Sequence, residues 1–144
     1  MKLEFWKIPA LGVHLGFALV AITERSGDLE VKLQYLEDQA LKVTIIFRNH
    51  FGFMVCGEFG MQRYIADSPA LQGRGGANFF TSTESEFMEL LRRGGVEEAK
   101  PLMSFVLVDS DHWLEVVTAN DPEVDTSTST PSRHLSPPRR EAVR

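Results

Sequence analysis

Leu41-Lys42-Val43-Thr44-Ile45-Ile46-Phe47 is the stretch on which the reading of this chain turns. It is rich in β-branched and aromatic side chains. From Val43 to Phe47 it is apolar at nearly every position. A strand written this way predicts burial on both faces, and so a central place in a sheet.

The neighbours of this stretch extend the pattern. Downstream, Arg48–Gly52 separates it from a second apolar run, Phe53–Cys56. Asn49 and Gly52 both tolerate positive φ, which predicts a hairpin. Upstream, Val31, Leu33 and Tyr35 alternate with Glu30, Lys32 and Gln34. That period of two predicts a strand with one wet and one dry face. Glu37-Asp38-Gln39 ends it, and Arg25-Ser26-Gly27-Asp28 is a turn signal before it. A further alternation runs through Val13, Leu15, Phe17, Leu19 and Ala21, where Gly12 and Gly16 disfavour a helix.

Residues 60–80 carry no clear period, and Ser68-Pro69 with Gln72-Gly73-Arg74-Gly75-Gly76 reads as loop. Next comes a helix from about Glu84 to Arg93. Thr83 and Glu86 have capping-box spacing. Phe87, Leu90 and Leu91 share one face. Glutamates lie at its start and arginines at its end, in agreement with the helix dipole. Gly94 is placed for a left-handed stop. Met103–Val108 and His112–Thr118 flank Asp109-Ser110-Asp111 and read as a hairpin.

The expected fold class is therefore α+β: a mostly antiparallel sheet of five or six strands with one clear helix. One domain over 1–121 is expected, followed by a disordered Ser/Thr/Pro/Arg tail over 122–144. The tail has only Leu135 and Val143 as sizeable apolar groups, too few to offset ordering entropy. A single short helix covers only part of one sheet face. A doubly apolar sheet would then need another cover, which points to a partner or a second copy.

Charge narrows the partner. The chain carries −5 overall. Residues 122–144 hold four arginines against three acids, so that segment is +1 and 1–121 is −6. An acidic body argues against nucleic-acid and anionic-membrane binding and favours a basic protein partner. The one cysteine, Cys56, allows no internal disulfide, as in a reducing, cytoplasmic setting. Ala18-Leu19-Val20-Ala21 has small residues spaced as at a signal-peptidase site, but Glu4 and His14 speak against a cleaved leader. Ala10–Thr23 is too short to span a bilayer.

The chemistry-bearing residues are sparse. Cys56 in an apolar run behaves as a small hydrophobe. His14, His50, His112 and His134 share no ligand spacing, and HExxH and CxxC are absent. A metal set of His112, Asp109 and Asp111 is less natural than solvated turn residues. The glycine-rich Gln72–Gly76 lacks the Gly-Lys-Ser/Thr of a phosphate loop. Arg139-Arg140 after Pro137-Pro138 gives salt-sensitive contacts at most. Trp113 and Phe105 read as packing groups rather than a stacking platform. No cofactor, metal or nucleotide site is expected.

Ser85-Glu86-Phe87, Phe105, Asp111, Leu114-Glu115-Val116-Val117 and Pro122 together resemble a layout found in small bacterial single-domain proteins. Many of these are uncharacterised, and some resemble immunity proteins, which neutralise a toxin by binding it. The layout covers about a third of the chain, and Ser104 stands where it usually has histidine. The resemblance implies a binding role. Taken with the acidic body, the expectation is a non-enzymatic protein-binding module, specifically an immunity-like inhibitor of a basic toxin. Asp109, Asp111, Glu115 and Asp121 around the last hairpin are its expected partner-binding residues. The alternatives are a homo-oligomeric structural domain and a small enzyme built around His112 with Asp109 or Glu115.

Overall fold

The computed structural model describes residues 1–11, 16–66, 68, 78–96 and 100–128. The expectations placed on His14, Gln72–Gly76, His134, Arg139-Arg140 and the rest of the tail lie outside them. Nine strands are present among the described residues: β1 (Glu4–Phe5), β2 (Phe17–Arg25), β3 (Asp28–Tyr35), β4 (Leu41–Phe47), β5 (Gly52–Gly57), β6 (Asn78–Ser82), β7 (Met103–Val108), β8 (His112–Thr118) and β9 (Glu123–Thr128). A 3₁₀ turn (Pro9–Leu11) and two helices, α1 (Glu58–Ala66) and α2 (Glu86–Arg93), complete them. The strands form two antiparallel sheets, β1-β6-β7-β8-β5 and β2-β3-β4-β9. The mostly antiparallel α+β expectation stands, but the single sheet of five or six strands is replaced by two.

The two sheets pack face to face. Phe17, Leu29, Val31, Leu33, Val43, Ile45 and Phe47 from the four-stranded sheet meet Phe105, Leu107, Leu114 and Val116 from the five-stranded one. Phe47 packs tilted against Phe105 with ring centroids 5.6 Å apart, and Phe17 against Phe79 at 5.7 Å. This is the principal core.

This arrangement corrects the reading of β4. Val43, Ile45 and Phe47 are buried, whereas Lys42, Thr44 and Ile46 face outward and are exposed or half-buried. Their cross-strand neighbours are Gln34, Lys32 and Glu30 on β3, and Ser127, Asp125 and Glu123 on β9. Ile46 thus sits in a charged ladder, and solvent covers the second face of β4. The strands apolar on both faces are β7 and β8, nearly every residue of which is buried. The four-stranded sheet covers one side of them, and α1 and α2 the other.

Further differences follow from the two-sheet architecture. Arg48–Phe51 is a crossover between sheets, not a hairpin loop, because β4 pairs with β3 and β9 while β5 pairs with β8. Asn49 does adopt positive φ (51°), while Gly52 enters the strand. The true tight hairpin is β2–β3. Ser26 and Gly27 both have positive φ, as a two-residue turn of matching twist requires. The disorder expected from 122 onward does not hold for Glu123–Thr128, which pairs with Leu41–Ile46. Alternating Val124 toward the core lets a polar segment add an edge strand without a fully apolar face.

Helix α2 is shifted by two residues from the expected start. Ser85, not Thr83, is the N-cap, and its hydroxyl accepts from the Met88 N–H at 2.9 Å. Gly94 stays right-handed (φ −74°), and the left-handed residue is Gly95 (φ 94°). The Val96 N–H closes the helix on the Leu91 carbonyl. Helix α1, in the stretch read as irregular, has a weak apolar face, and its fit to the sheet comes from Gly60. A side chain at Gly60 would place its Cβ 3.2 Å from the Cys56 Cβ.

Candidate functional site: a groove between the helices

The two helices descend on the outer face of the five-stranded sheet at different places. Helix α1 lies over Cys56 and carries Tyr64 onto Trp113, stacked at 5.1 Å. Helix α2 lies over Gly52, where any Cβ would meet Phe87 and Leu91 at 3.2 Å. Met88 is fully buried against Leu102 and Val117. Between these footprints the sheet is left open above Met54.

The result is an open groove of about 710 Å³. Met54, Tyr64, Phe87 and Leu90 supply its apolar surface. Glu84, Glu86 and Glu89 line it on the α2 side, with Arg93 at the far end of that helix. Leu90 is 61% exposed. A volume of this size suits a large side chain or a short peptide segment.

A buried polar chain runs inward from the groove wall. Ser85, on the lining, lies 3.3 Å hydroxyl to hydroxyl from Ser104. Ser104 donates to Glu115 Oε1 at 2.5 Å. Glu115 is fully buried, pairs across the strands with Met54, and its Oε2 has no hydrogen-bond partner among the described residues. Burial of such a group is costly, and the two hydroxyls recover part of that cost.

The four carboxylates expected to meet a partner do not form one face. Glu115 is interior. Asp109 is a clip between the sheets, its side chain only 10% exposed. It accepts from the backbone N–H of Leu19 on β2 (2.9 Å), and of Asp111 (2.8 Å) and His112 (2.6 Å) in its own turn. Burial pushes its carboxyl up, but these N–H donors and the His112 ring outweigh burial and hold it below the usual carboxylate range. Asp111 and Asp121 are exposed but flank opposite ends of β8, roughly 20 Å apart at the rise of a strand. Alternation explains the loss of Glu115: odd positions of β8 point under the helices.

His112 Nδ1 lies 3.1 Å from Asp109 Oδ1, the orientation that steadies a general base. The crevice beside it measures only about 10 Å³ and is otherwise lined by apolar core residues. His50 is the more enclosed histidine, its side chain 6% exposed and edge-on to Phe53. Its Nε2 is 3.3 Å from Glu24 Oε1, close enough for an ion pair yet not aligned for a hydrogen bond. Cys56 is half-buried under α1. Among the described residues no group of three or more His, Cys, Asp or Glu is placed to hold a metal, and no helix is long and apolar enough to cross a membrane.

The acidic first turn of α2 was readable in the sequence, but its role as a groove wall was not. The opposing wall, α1, has no strong helical period, and nothing local marks Met54 as the floor. No family model, curated protein or solved structure matches the chain.

Proposed function

We propose that this chain is a non-enzymatic protein-binding module that receives a basic segment with a bulky apolar anchor in the groove between α1 and α2. One observation carries the reading: an apolar floor at Met54, Tyr64, Phe87 and Leu90 beside three glutamates on one wall. An anchor side chain on the floor supplies affinity, and lysine or arginine flanking it meets Glu84, Glu86 and Glu89. The acidic body steers a cationic partner toward the chain. This keeps the expected class of partner and moves the site from the last hairpin to the helix face.

The test is selection of displayed random peptides on the intact chain. Recovered peptides should combine one large apolar residue with lysine or arginine. Their affinity should fall roughly tenfold or more on Leu90→Glu and on the Glu84→Lys/Glu89→Lys double variant, the size expected for losing an anchor or its charge pairing. Binders indifferent to both variants would remove the groove from the proposal. The narrower form, an immunity-like inhibitor of a basic toxin, predicts neutralisation of a basic protein encoded beside it, and loss of that protection in the same variants.

A further inference from the structure

A sheet edge exposes unpaired backbone N–H and C=O groups, and proteins guard such edges with charge, shortness, proline or bulges. Four edges are present among the described residues. β1 is only two residues long. β2 is bulged between Leu19 and Ala21 and ends in Thr23-Glu24-Arg25. β9 carries Glu123 and Asp125. β5 has none of these guards. Gly52-Phe53-Met54-Val55-Cys56-Gly57 contains no charge and no proline, and its pairing with β8 is unbroken from Gly52↔Val117 to Gly57↔His112. No described strand pairs with its outer side. Val55 is 43% exposed on it, and Phe59, just past its end, is 92% exposed.

We propose that β5 is the seam of a homodimer, in which two copies pair antiparallel through this edge and join their five-stranded sheets into one. The strand is suited to its own copy. Antiparallel pairing about a two-fold axis requires partners of equal parity, so that both turn their free backbone groups toward the seam. Centring the axis on Val55 sets Val55 against Val55 of the copy, Met54 against Cys56 and Phe53 against Gly57. No like charges meet. Met54 and Cys56, which pack under α1, stay on the helix side in both copies, so each face continues across the seam. Phe59, the most exposed aromatic side chain, sits in the first turn of α1 just past the end of β5, beside this seam.

Sedimentation across a wide concentration range tests this, with the full chain. The wild type should show a monomer–dimer equilibrium. Val55→Lys sets two ammonium groups face to face and should weaken association roughly tenfold or more. Phe59→Glu, at a position with no packing role in the monomer, should weaken it in the same direction and guards against a folding defect in the first variant. On a Cys56→Ser background, Val55→Cys should cross-link into a disulfide dimer under mild oxidation. A wild type that stays monomeric at every concentration overturns the proposal. So does a dimer that neither charged variant disperses and that Val55→Cys fails to cross-link.

Discussion

At the scale of single residues, Asp109 shows how a side chain in a turn signal can act far from its turn. Asp-Ser-Asp at 109–111 reads as a local hairpin device, and Asp109 does cap that turn through the Asp111 and His112 N–H groups. Its other oxygen accepts from Leu19, ninety residues away in sequence, and thereby ties β2 to the β7–β8 corner. Asp109→Ala should cost about 1.5–3 kcal/mol, the range for hydrogen bonds to a charged acceptor, measured by denaturant unfolding. The pH dependence follows from the lowered carboxyl. The contribution is complete above the ordinary value of 3.8 and is lost as pH falls through the lower folded value. The stability gap between wild type and Asp109→Ala should therefore be constant near neutrality and narrow only in acid. A gap that widened in acid would contradict the clip.

At the scale of elements, β9 is the clearest case of context overriding composition. Glu123–Thr128 is polar and looks like the start of a tail, but an exposed edge strand needs only one dry face and a neighbour with free backbone groups. β4 supplies both, and Arg48 binds the strand's first residue at 2.8 Å, holding the Glu123 carboxyl below its usual range. A chain ending at residue 121 should lose cooperative unfolding or melt well below the full chain, because Val43 and Ile45 then lie under an unpaired edge. A chain ending at Thr128 should melt within a few degrees of the full chain. Equal melting of both would show that β9 adds nothing. Helix α2 was legible because capping, charge and apolar period coincide in it. Its exact ends were not, since Thr83 and Ser85 at the start, and Gly94 and Gly95 at the end, are chemically near-equivalent candidates.

At the scale of the whole molecule, stability rests on the interior between the two sheets. Phe47, from the end of β4, is buried in it against Phe105 of the other sheet. Phe47→Ala should cost about 3–5 kcal/mol, a large-to-small change at a closed site. Because the ring joins both layers, fluorescence and circular dichroism should report one coincident transition. Separate transitions for the two sheets would mean that the layers fold independently. The groove and the β5 edge both lie on the five-stranded sheet, away from the charged outer face of the four-stranded one. The two proposed interaction surfaces and the charged outer face thus lie on different layers.

Alternation and turn chemistry are local, so the order of residues alone was enough to specify most strands, the β7–β8 hairpin and the amphipathic α2. It also specified an acidic body with a single thiol. What it left open is which strands pair at a distance: local signals read β4 and β5 as a hairpin and Glu123–Thr128 as tail, whereas β4 pairs with β9 and β5 with β8. Only the closed fold resolved that choice: stacking two sheets buries the apolar face of each, whereas one sheet would have left a face in water. That decision turned Ile46 outward, drew Glu115 inward, and opened a groove that no contiguous stretch of residues spells out.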